Sequence, residues 1–195
     1  AGTASFGAGD TYTVKLEPQP VTLTGPPMTC TDLGEHEIAG LMGDGADTAA
    51  LDADETFTFE AKVTMDTDLI LDGCNVIIKN NWKITGSSAG IRTLTIASGS
   101  TFTATETGGV RGNLMSASTL YPGLVVVQGS LVLDNGKMSN IGYGSSGAAI
   151  DLGAGASMTV SNGATILGAA ASPSDIIILV GKDSSFDFDN SAITA

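Results

Sequence analysis

The single histidine, His36, stands between Glu35 and Glu37. An imidazole beside two carboxylates is the chain's nearest approach to a general base or a metal ligand. In so acidic and polar a segment it reads as a solvated side chain. A denser set of hard oxygen ligands follows at Asp44, Asp47, Asp52, Asp54 and Glu55. These could hold Ca²⁺, although their spacing is not that of an EF-hand loop. Asp187 and Asp189 flank Phe188, the spacing that puts two carboxylates on one face of a strand. They read as a solvated outer face that discourages end-to-end sticking. A polysaccharide-cleaving site would need an Arg or Lys beside clustered acids, and in the repeat register given below neither Arg92 nor Arg111 has such neighbours. There is no nucleophile elbow, phosphate-binding glycine loop, zinc-type Cys/His spacing or zinc-protease helix. The expectation is a chain with no catalytic residues and no cofactor, calcium being the one alternative.

Cys30 and Cys74 are the only cysteines. An even pair in an exported chain reads first as one disulfide. Two buried thiols, or bridges between subunits, are the alternatives. Carbohydrate binding would call for an aromatic platform, for which Tyr12, Trp82, Tyr121 and Tyr143 are the candidates.

These groups must be carried by strands. Apolar pairs or triplets beginning around Leu71, Ile96, Val127, Leu152 and Val180 recur at steps of 25, 31, 25 and 28 residues. Each is followed by a Gly-rich corner and a second alternating segment, as in Leu94-Thr-Ile96, Ala97-Ser-Gly-Ser100, Thr101-Phe-Thr103. The period within each half is two, so the segments are strands, and a repeat of this length is one coil of a solenoid. Asn80, Asn135, Asn162 and Asn190 follow the second strand of four copies, with Thr105 in the fifth. Asn tolerates left-handed backbone, and amides stacked at about the strand spacing of 4.8 Å can bond as a ladder. Gly86–Gly90 and Gly144–Gly147 suggest a third corner. Gly, Thr, Ser and Asn interrupt every window that could hold three helical turns, leaving at most a short helix at Thr48–Asp52. The predicted fold is all-β, a parallel β-solenoid of five to six coils over residues 56–195, preceded by an irregular segment, 1–55.

That first segment holds a strand-like run, Thr11, Tyr12, Thr13, Val14, Lys15 and Leu16, then a stretch broken by prolines and an acidic Gly-rich loop. It could cap the first coil or donate a strand to a neighbour. At the other end the small residues Ser191–Ala195 leave a strand row uncapped, which suits pairing with another copy. Eight Lys plus Arg against 21 Asp plus Glu give a net charge of −13, which repels nucleic acid and anionic lipid alike. No apolar run approaches the length of a membrane helix. A start at Ala1 without a leader is what a chain looks like once a secretion signal is removed, so a secreted, cell-surface location is expected.

The coil repeat, Gly corners and Asn positions over 56–195 resemble those of secreted right-handed β-helix proteins. With its small-residue, acidic composition and two cysteines, the chain also looks like the sheath and filament subunits of archaeal cell surfaces, such as the major sheath protein of filamentous methanogens. The resemblance implies subunits joined through β-sheet edges into hoops or tubes, with disulfides linking units. The function expected is a self-assembling structural subunit of a sheath, surface layer or filament. An adhesive or carbohydrate-binding protein is the alternative, and a polysaccharide-degrading enzyme a further one.

Overall fold

The computed structural model describes residues 21–35, 56–59, 62–80, 83–86, 92–111, 113–114, 120–121, 124–141, 148–168, 176–189 and 191–194. They are mostly β, arranged in three all-parallel sheets of seven, six and six strands. The first sheet stacks Val21–Leu23, Val63–Met65, Lys83–Gly86, Gly109–Arg111, Lys137–Ile141, Thr165–Gly168 and Ala192–Thr194. The second stacks Met28–Thr29, Leu69–Leu71, Thr93–Ile96, Leu124–Val127, Ala148–Leu152 and Ile176–Val180. In the third lie Thr56–Phe59, Asn75–Ile78, Thr101–Thr105, Ser130–Asp134, Ser157–Ser161 and Ser185–Phe188. The chain visits the sheets in strict rotation, an order compatible with a parallel β-solenoid. The one antiparallel pair among the described residues, Asn113–Leu114 with Leu120–Tyr121, lies outside the rotation.

Alternation places every second side chain inside, and register lines these up from strand to strand. Val76, Phe102, Leu131 and Met158 form one such column in the third sheet, and Leu71, Ile96, Val127 and Leu152 one in the second. All are buried. Their outward neighbours are mostly Thr, Ser and Asp, with Ile70, Ile77, Val126 and Val132 as apolar exceptions, and are less buried than the column residues.

Turns hold the corners in the same register. The amide of Ser100 donates to the Ala97 carbonyl at 3.0 Å, that of Ala156 to Gly153 at 3.2 Å and that of Ser184 to Gly181 at 3.4 Å. The third turn residue has positive φ each time: 84° at Gly99, 73° at Gly155 and 60° at Asp183. A left-handed backbone costs an L-residue about 1–2 kcal/mol, less for Asp; glycine avoids this but is freer when unfolded. Asp183→Gly should therefore raise stability by about 0.5 kcal/mol, read as a higher denaturant midpoint with unchanged slope. The Lys182–Asp183 ion pair it removes is exposed on both sides and contributes little.

One expectation changes. The strand rows begin at Val21, not at residue 56, because Val21–Leu23 pairs with Val63–Met65 and Met28–Thr29 with Leu69–Ile70. At the other end Ala192–Thr194 pairs with Thr165–Leu167 as the last strand of its row among the described residues. A short helix forms at Cys30–Glu35, started by a reciprocal cap: the Thr29 amide and hydroxyl both donate to Asp32 Oδ2 at 2.8 Å, and the Asp32 amide donates back to Thr29 Oγ1 at 3.4 Å. The helix expected at Thr48–Asp52 lies outside the described residues.

Candidate functional site

Near the N-terminal end the core is covered, with Leu23 and Cys30 buried. There Cys30 and Cys74 form a disulfide within one chain, with Cα atoms 6.2 Å apart. The Cys30 amide also donates to Asp72 Oδ1 at 3.0 Å. This bears out the first reading of the pair as one disulfide and sets aside its alternatives, two buried thiols or the bridges between subunits that the resemblance implied, for the chain has no other cysteine and neither thiol is free.

The C-terminal end is open. The column Leu71, Ile96, Val127, Leu152 ends on Val180, which is 51% exposed, and the two columns of the third sheet end on Phe186 and Phe188, 39% and 43% exposed. In the first sheet the column Ile84, Val110, Met138, Ile166 ends on Ile193 at 37%. These are core positions by register, yet they are partly exposed in this chain. Phe186 and Phe188 lie with ring centroids 6.2 Å apart. Beside them the strands Ile176–Val180, Ser185–Phe188 and Ala192–Thr194 are the last of their sheets among the described residues, each at a sheet edge. Asp187 and Asp189 are both exposed around this end.

The expected Asn positions prove to be backbone devices. Asn80, Asn135 and Asn162 have φ of 55°, 54° and 55°. Extending the strand register by one or two residues places Glu106, not Thr105, between Asn80 and Asn135, and Glu106 shares their backbone at φ 48°. An acidic side chain interrupts the amide column, and the Asn162 amide bonds the Asp134 carboxylate instead. The common property of the column is left-handed backbone, which Asn adopts more readily than most residues. Asn190 lies outside the described residues.

Arg92 does have acidic neighbours, contrary to expectation. Its Nη2 lies 3.0 Å from Asp66 Oδ1, and Asp68 accepts the Thr93 amide at 2.8 Å. The reason is coil register: the turn before Leu69–Leu71 stacks under the one before Thr93–Ile96. The pair clasps two successive corners, and the Asp68 carboxylate is engaged with backbone.

A feature that the sequence reading missed lies on the outer face of the first sheet. Lys83 and Lys137 both pair with Gly109, and Lys62, one residue before the Val63↔Ile84 pair, stands opposite Lys83. Three of the chain's eight basic residues thus share one column. A Cβ at Gly109 would lie 1.7 Å from the Lys137 carbonyl oxygen, so no side chain separates Lys83 from Lys137. Burial, and then the charge of Lys137, hold the Lys83 pKa below its usual value; the Lys83 ammonium also donates to the Thr107 carbonyl. Lys137→Gln should move the Lys83 titration upward, as read from its ¹³Cε shift against pH. No movement would mean that the two charges do not sense each other.

Of the other expected site residues, His36 and the calcium candidates Asp44, Asp47, Asp52, Asp54 and Glu55 lie outside the described residues, as do Thr11–Leu16, Tyr12, Trp82 and Tyr143. Among the described residues no three His, Cys, Asp or Glu side chains are grouped to hold a metal, and no helix is long and apolar enough to cross a membrane. The chain matches no protein-family model, no curated protein and no solved structure.

Proposed function

We propose that the chain is a self-assembling structural subunit of an extracellular sheath, surface layer or filament. In this reading its three sheets close into the successive coils of a parallel β-solenoid. The observation that carries it is the exposed apolar face at the C-terminal strands, where four core columns stop on apolar side chains still 37–51% exposed beside three strands that end their sheets among the described residues. A second copy set against this end would cover those side chains and supply backbone partners, the same two interactions that stack each coil on the last. The disulfide supports an oxidising, extracellular setting. The resemblance to archaeal sheath and filament subunits fits the same reading.

Negative-stain electron microscopy across a range of protein concentrations tests it. Ordered filaments, tubes or hoops are expected, and Phe188→Lys should abolish them by placing a charge on the open end. Monodisperse particles at every concentration would overturn the reading.

A further inference from the structure

The open end accounts for growth along the coil axis and leaves the lysine column on the first sheet without a role. The chain's net charge is −13, so copies brought side by side repel unless a local surface opposes the general field. The lysine column is such a surface. It reads, in successive coils, Lys62, Lys83, Gly109, Lys137. The outer face of the third sheet carries a matching series. Asp134 pairs with Ser161, and Asp189, one residue past the Val160↔Phe188 pair, stands opposite Ser161. Lys-Gly-Lys on one face and Asp-Ser-Asp on another therefore have the same period: charged residues two coils apart, about 9.6 Å at the strand spacing, with a small uncharged residue between them.

We infer that the first sheet of one copy packs sideways on the third sheet of a second copy, Lys83 facing Asp134 and Lys137 facing Asp189. This rests on the assembly reading and names its second contact. With the coil axes parallel, Lys62 then falls opposite Thr105; with the axes antiparallel it would project beyond the end of the partner. Lys83 sits one coil ahead of Asp134 in the fold, so each sideways step shifts the neighbour by one coil, about 4.8 Å. Two different faces make the contact, so it is heterologous and extends into open rows. The repulsion between Lys83 and Lys137 in the single copy is relieved when carboxylates arrive opposite both.

Charge reversal tests this directly, leaving Lys83 in place because its ammonium bonds the Thr107 carbonyl. Lys137→Glu and Asp189→Lys are each examined alone and mixed one to one, by sedimentation and electron microscopy, at low salt and at 1 M salt. Wild-type protein should form side-by-side rows at low salt that separate into single-width filaments at 1 M, where screening reaches about 3 Å and apolar end contacts persist. Either variant alone should need at least a tenfold higher concentration to form rows. The mixture should restore them, since each first sheet then meets a third sheet of opposite charge. Rows that survive in Lys137→Glu alone, or that the mixture fails to restore, overturn the sideways contact. Wild-type single-width filaments at low salt would also overturn it while the assembly reading stands, and monomers throughout would remove both.

Discussion

Replacing Cys30 and Cys74 together by alanine lowers the stability of the fold by about 4 kcal/mol. The disulfide closes a loop across a sequence separation of 44 residues, and the loop-entropy relation gives about 4 kcal/mol for that length. The bridge ties the Met28–Thr29 end of the second sheet to the corner after Leu69–Leu71, across the longest step in the repeat. Coils of a stacked fold draw their stability from their neighbours, so the loss should begin at the N-terminal end. Denaturant unfolding measures the total, and amide exchange should show protection lost first in Val21–Leu23 and Val63–Met65, later in Ser157–Ser161. A total loss below about 1 kcal/mol would mean that the unfolded chain already keeps this loop short. Because the bridge lies within one chain, reductant should act on assembly only through this loss of stability, without cutting links between subunits.

The strand rows from Leu69 onward were legible in the sequence because their inward positions repeat an apolar residue at nearly constant steps, with Gly or Asn at most places where the backbone turns left-handed. The first coil was hidden for the opposite reason. Its strands have three and two residues, and the step from Val21 to its partner Val63 is 42 residues, against 28 from Val110 to Met138. A segment that short has no period to detect, and prolines follow it at Pro26 and Pro27. The Asn column was found but misread by one residue in the copy that lacks Asn, since composition cannot tell whether Thr105 ends the strand or begins the turn. The lysine column was missed because Lys62, Lys83 and Lys137 are separated by steps of 21 and 54 residues, which resolve into one strand step and two only once the backbone pairing is known. Charged residues on an outer face obey no apolar period, so only register brings them together.

Phe102 and Phe186 occupy one column three strand steps apart, with Leu131 and Met158 between them. They should respond to the same substitution in opposite ways. Phe102 is fully buried, and Phe102→Ala should cost about 3–5 kcal/mol in the single copy, the usual penalty for emptying a close-packed aromatic site. Phe186 is 39% exposed and has a coil on one side only, so Phe186→Ala should cost about 1 kcal/mol in dilute protein. In an assembly that covers the open end, Phe186 acquires the surroundings of Phe102. The remaining 2–4 kcal/mol, roughly, then appears as a rise of about 30- to 1000-fold in the concentration needed to assemble. Unfolding of dilute protein and sedimentation near the assembly threshold measure the two parts separately. If Phe186→Ala instead destabilises dilute protein as severely as Phe102→Ala, the end is already covered within the single copy, and exposed core columns no longer argue for a second subunit.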